Sequence, residues 1–150
     1  VQANFDIRKQ YDLLRLYQRI DKLSKEILTV AYHILVLSRI EANVPKEFHK
    51  PLLEIGNKLM AIHQSYSSSM RLYLDSKKDV MMSIHKVEQE EYEIDKLCIQ
   101  TSEILYRLGN ERTIPLGTYS VIQELIRSFK DLASAIEVTA TSLDWLLLSR

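Results

Sequence analysis

Glu91 and Asp95 are the two side chains in this chain whose type and spacing bear most directly on chemistry. They lie four residues apart in the run Glu91-Tyr92-Glu93-Ile94-Asp95, so on a helix both carboxylates project from one side. Glu91 also occupies a position that should be apolar. Alternating steps of four and three from Val80 give Ile84, Val87, Glu91, Ile94, Cys98, Thr101, Leu105 and Leu108, a coiled-coil-like seam with one carboxylate at its middle. A buried carboxylate must be paired, protonated or bound to a metal, because stranding it costs several kcal/mol. Glu91 and Asp95 are therefore the best functional lead in the sequence, with metal binding one of the three ways to satisfy a buried carboxylate.

The other reactive residue types assemble no site. His33, His49, His63 and His85 have no histidine partner three or four residues away, and no histidine follows a glutamate by three residues. The HExxH zinc pattern and the Glu-x-x-His di-iron pattern are therefore both absent. Ser67-Ser68-Ser69 has no strand-turn-helix elbow around it to present a nucleophile. Gly109-Asn110 and Gly117 lack the spacing and the preceding strand of a phosphate loop, so any response to phosphate is indirect. These observations point away from an enzyme.

The elements that must position the acidic pair are helices. Three glycines and three prolines in 150 residues leave few breaks, and the apolar period between them is helical throughout. The first helix, about 5 to 41, carries Leu13, Leu16, Ile20, Leu23, Ile27, Val30, Ile34 and Leu37 as one seam. Asn43-Val44-Pro45 ends it, and proline suits the first turn of the next helix. That second helix, about 46 to 74, turns Leu52, Ile55, Leu59, Ile62, Tyr66 and Tyr73 inward. Ser76-Lys77-Lys78-Asp79 reads as a capping box for the third, and Gly109 as its left-handed terminating residue. The fourth starts between Pro115 and Ser120 and uses Ile122, Leu125, Phe129, Leu132, Ile136, Leu143 and Leu146. Short connections force neighbours to run antiparallel, so the expected fold is all-α, an elongated up-down-up-down four-helix bundle.

That bundle sets what Glu91 meets. An antiparallel fourth helix leaving the turn near Gly109 places Ser134 opposite Glu91 and Lys130 about one turn away. Three readings of Glu91 stand at this point: an ion pair to Lys130, a metal ligand, or an exposed glutamate on a shifted seam. The flanking Glu88, Glu90 and Glu93 read as a solvated surface balanced by Lys86 and Lys96, open to a partner's basic loop. Met60, Met70, Met81 and Met82 read as core filling between the second and third helices.

Lys plus Arg equal Asp plus Glu at 20 each, which removes the electrostatic signature of a nucleic-acid partner. No stretch approaches the roughly 18 uninterrupted apolar residues of a membrane span, so no membrane insertion is expected. Cys98 is the one cysteine, and its place on the apolar seam fits a small core residue in a reducing, cytoplasmic setting.

Leu52-Leu53-Glu54-Ile55-Gly56, the acidic run from Glu91 to Asp95 followed by Lys96-Leu97, and Val121-Ile122-Gln123-Glu124-Leu125-Ile126-Arg127 together resemble the PhoU-like phosphate-uptake regulators, in the subgroup that accompanies Pit-type phosphate transporters. That family is built from two similar helical halves, with a carboxylate, three residues and an aspartate recurring on several helices as metal ligands. Glu91 and Asp95 match one copy. A faint repeat of period 112 aligns Arg15 and Ile20 with Arg127 and Leu132, and there the other copies have decayed to Gln18 with Lys22 and Lys130 with Ser134. The resemblance implies a single PhoU-like bundle domain over residues 1–150, short of the family's leading helices. It implies a non-enzymatic regulator that contacts a phosphate transporter at the cytoplasmic membrane face, at the inner side of the plasma membrane. It also implies a divalent or ferric ion at Glu91 and Asp95. From the residues alone a second function stands beside it, a structural module that builds a homo-oligomer, because Leu28, Leu35, Leu72, Trp145 and Leu147 lie off the main seams. A ferritin-like oxidation centre would need at least four inward carboxylates and paired histidines, and the sequence offers one carboxylate pair.

Overall fold

A computed structural model describes residues 2–39, 43–73 and 76–148 of the chain. Four helices fill these ranges: α1 (Gln2–Arg39), α2 (Lys46–Leu72), α3 (Lys77–Asn110) and α4 (Leu116–Leu148). Their lengths follow from uninterrupted 3.6-residue patterning, and their ends from local chemistry. Pro45 takes the position before α2, and Ser76 caps α3 by accepting the Asp79 amide at 3.4 Å. Residues 74, 75, 149 and 150, at the expected ends of α2 and α4, lie outside the described residues.

The close of α3 differs from the sequence expectation. Gly109 stays inside the helix, and the left-handed residue is Arg112, at φ 54°. The Glu111 amide donates to Arg107 O and the Thr113 amide to Leu108 O, so the last carbonyls are satisfied without glycine. Gly109 serves a different need, because a Cβ there would come within 2.8 Å of the Tyr119 ring on α4.

Cross-helix contacts fix the topology as antiparallel between chain neighbours. Lys58 meets Glu93 and Ser69 meets Ser83 between α2 and α3, while Asp95 meets Lys130 between α3 and α4. Arg19 donates to Val138 O at 2.8 Å and to the Ser142 hydroxyl between α1 and α4. The chain is therefore an all-α, up-down-up-down four-helix bundle, as its period and connections imply. Helix α4 is the central member. It packs on α1, α2 and α3, whereas α1 packs on α4 alone.

This arrangement decides which seam residues are covered. All seven predicted α4 seam residues are buried, as are Ile55, Leu59, Ile62 and Tyr66 of α2. Phe48, at 0% exposure, joins them without having been singled out by the spacing. On α1 only one of the two alternating seam rows is buried. Leu16, Leu23 and Val30 face α4, whereas Leu13, Ile27 and Ile34 are 55%, 44% and 50% exposed. Three of the four methionines also depart from the core expectation. Met60, Met81 and Met82 are exposed, and only Met70 packs against the core. Of the off-seam apolar residues, Leu28 and Leu35 are exposed as the oligomer reading expects, but Leu147 is buried in the core.

Candidate functional site

The α3 seam is buried from Val80 to Leu108 at every predicted position except Glu91, which is half-buried. One turn further on, Asp95 pairs with Lys130 of α4.

The cation at this site belongs to Asp95. Lys130 Nζ lies 2.6 Å from Asp95 Oδ1, an approach that is short but poorly aligned, leaving that buried oxygen without a directed hydrogen bond. Contact at this distance and the opposite charges both favour the ionised lysine and raise its pKa. Glu91 makes no ion pair or hydrogen bond among the described residues; the proposed Glu91–Lys130 pair is replaced by Asp95–Lys130. Partial burial pushes the Glu91 pKa up, the Asp95 and Glu137 carboxylates push it further, and Lys130 pulls it back. Glu137, one face along α4, accepts the Thr141 hydroxyl at 3.0 Å.

Cys98 lies one turn beyond Asp95 and is 2% exposed. Burial, then the Asp95 charge, pushes its thiol up to about 12, so it stays protonated and unreactive. Among the described residues no three His, Cys, Asp or Glu side chains converge as a metal group would. Glu91 and Asp95 thus stand as two carboxylates with a lysine in the position of a cation. No helix of the described residues is long and apolar enough to cross a membrane.

Glu88 and Glu93 are solvated as expected, whereas Glu90 is not: its side chain is 19% exposed and its Oε2 is buried without a hydrogen-bond partner among the described residues. Glu93 reaches across to Lys58 of α2 at 2.5 Å, Glu88 contacts His85 at 2.8 Å, and Lys86 approaches Glu90 at 3.7 Å. Lys58 holds Glu93 in its charged form, pulling that carboxyl below its usual range.

A second polar cluster had no sequence signal. The Arg15 guanidinium stacks 4.3 Å from the Trp145 ring centre, with Arg19 at 5.6 Å from the same ring. Trp145, an apolar residue free to seek another helix by its spacing, stays 41% exposed and is contacted by these two arginines of α1. The residues involved are about 130 positions apart in sequence, and nothing in the local pattern joins them.

No protein-family model, no curated protein and no solved structure matches the chain. The likeness to PhoU-like regulators therefore rests on the residues that carry it.

Proposed function

We propose that the chain is a non-enzymatic helical docking module that acts by protein–protein contact through the uncovered face of α1. The observation that carries this reading is the division of the α1 apolar rows. Leu16, Leu23 and Val30 are buried, while Leu13, Ile27, Ile34, Leu28 and Leu35 remain exposed on the side away from α4. These side chains are 44–69% exposed, so covering one contributes about 1 kcal/mol, roughly half the value for a fully exposed side chain, and a helix laid on this face gains several such contributions.

The resemblance to PhoU-like proteins supplies a target, a Pit-type phosphate transporter at the cytoplasmic membrane face, and with it a role in regulating phosphate uptake. The bundle architecture and the Glu91–Asp95 spacing on α3 support that reading. Under it, Glu91 and Asp95 either hold a divalent or ferric ion or, with Lys130, fix α3 against α4.

The test is phosphate flux into proteoliposomes that contain a Pit-type transporter. Added chain is expected to change the flux, and Leu28→Lys with Leu35→Lys to abolish the change. Flux that never responds to the chain would remove the transporter as target.

A further inference from the structure

The folded chain exposes 9784 Å², whereas a compact monomer of 17.5 kDa exposes about 7,900 Å². The surplus, about 1,900 Å², follows from an elongated bundle in which α1 packs on α4 alone, and it leaves room for a contact of the standard size, roughly 800 Å² per partner. The apolar part of the surplus is concentrated. Ten of the twenty large apolar side chains exposed among the described residues lie on α1, so the interface is sought there.

Within α1 the stretch Ile27 to Ser38 contains no Asp, Glu, Lys or Arg. A face without charge offers no complement to an acidic or basic partner, but it meets a copy of itself with no like-charge repulsion. Its surface has a consistent relief. Ser24, Ala31 and Ser38 recur at intervals of seven as a shallow row, flanked by Ile27 and Ile34 on one side and by Leu28 and Leu35 on the other. The two hydroxyls in that row are already satisfied, since Ser24 donates to Ile20 O at 3.1 Å and Ser38 to Leu35 O at 2.8 Å. Covering them leaves no stranded donor.

From the area, the uncharged stretch and the satisfied row, and resting on the reading of α1 as a docking helix, we infer that its partner is the α1 of a second copy of this chain. The two helices pack antiparallel about a twofold axis through Ala31. That register places Ile27 against Leu35 of the partner subunit and Leu28 against Ile34 of the partner subunit, and lets the backbones approach over the small row. It also carries the basic residues Arg15, Lys22 and Lys25 of the two copies to opposite ends of the contact. A parallel pairing would stack them on their own copies.

Sedimentation equilibrium from sub-micromolar to about 200 µM, with engineered cysteines, tests this inference. The wild type is expected to reach twice 17.5 kDa, and Leu28→Lys with Leu35→Lys to weaken dimerisation by roughly 100-fold with an unchanged helical spectrum. Ala31→Cys should cross-link rapidly under mild oxidation, while Leu28→Cys, displaced about 9 Å along the helix from its own copy, should not. Buried Cys98 supplies no competing thiol. A monomer at every concentration, or a dimer that survives the double lysine substitution, overturns the inference. Cross-linking through Leu28→Cys and not Ala31→Cys overturns the antiparallel register. A monomer that still alters transporter flux, and loses that effect on double lysine substitution, retains the docking module and rejects the second copy.

Discussion

Lys130 on α4 reaches Asp95 on α3 at 2.6 Å, and through that choice Glu91 is left facing two carboxylates. The register that brings Lys130 to Asp95 leaves Glu91 half-buried on the seam, with Asp95 on its own helix and Glu137 on α4 opposing its ionisation. One lysine thus serves a pair of acids spaced one helical turn apart. It neutralises one of them at contact and the other only through its field. The site is a strained electrostatic balance at the middle of an otherwise apolar seam.

Glu91→Gln is expected to stabilise the protein at neutral pH. Burial, Asp95 and Glu137 raise the Glu91 pKa in the fold above its ordinary 4.5. A raised carboxyl contributes stability that is fully present below the unfolded pKa and lost as pH rises through the folded one. At pH 7 the wild type has lost it, and the neutral glutamine has not. Thermal melts should therefore show Glu91→Gln above the wild type at pH 7, with the two converging as pH falls to about 4. A wild type more stable than the variant at pH 7 would mean that Glu91 is held by a favourable partner, metal included.

Lys130→Gln should act in the opposite direction. The lysine side chain is 53% exposed and that of Asp95 29%, so the loss is expected to be modest, about 1 kcal/mol by urea denaturation. The informative readout is the response to cations. With Lys130 gone, Glu91 and Asp95 form an uncompensated pair, and millimolar Mn²⁺ or Mg²⁺ should raise the melting temperature of Lys130→Gln more than that of the wild type. Equal gains in both would show that the lysine does not occupy a cation's place.

How much of this was legible before the structure depends on which physical effect decides each feature. The α3 and α4 seams follow from the period of the sequence, because a helix buries the same rows whatever its partner. The connections fix antiparallel neighbours, and equal counting from the turn brought Lys130 to within about one turn of Glu91, where it meets Asp95. The choice between Glu91 and Asp95 as the partner of Lys130 is set by side-chain reach within one turn, which spacing does not resolve. The exposure of Leu13, Ile27 and Ile34 depends on how many neighbours α1 has, a tertiary property absent from its own pattern. The same holds for Met60, Met81 and Met82, apolar side chains with no partner helix against them. Trp145 under Arg15 is a contact between the two ends of the chain, and local reading has no access to it.

The uneven burial gives a graded expectation for truncation. Ile94 is fully buried between the two members of the acidic pair, so Ile94→Ala should cost about 2–5 kcal/mol through lost burial and a residual cavity. Met82, 61% exposed on the same helix, should cost less than about 0.5 kcal/mol as Met82→Ala. Equal costs at the two positions, measured by denaturant midpoint at constant slope, would mean that α3 presents a different face to the core.

Gly109→Ala tests the close approach between α3 and α4. Alanine is the better helix former by about 1 kcal/mol, but its Cβ would meet Tyr119 Cε2 at 2.8 Å. The ring must swing outward, and the expected net effect is a destabilisation of about 1 kcal/mol. In a Tyr119→Ala background the obstacle is gone, and Gly109→Ala should turn stabilising. An unchanged sign in the double-mutant cycle would separate the need for glycine from the tyrosine.

Arg112→Gly should stabilise the chain, because the conformation that closes α3 is paid for by a residue poorly suited to it. At φ 54° the arginine Cβ crowds its own carbonyl, a cost that glycine does not bear. Against this stands the extra entropy that glycine loses on folding, so the expected gain is about 0.5–1 kcal/mol. The Arg112 side chain is exposed, and its amide bond to Gly109 O is kept in the variant. Arg112→Ala provides the control, since it removes the same side chain and keeps the Cβ. If the gain comes from the backbone, urea midpoints should rise for glycine and stay level or fall for alanine, and equal rises would assign the effect to the lost charge.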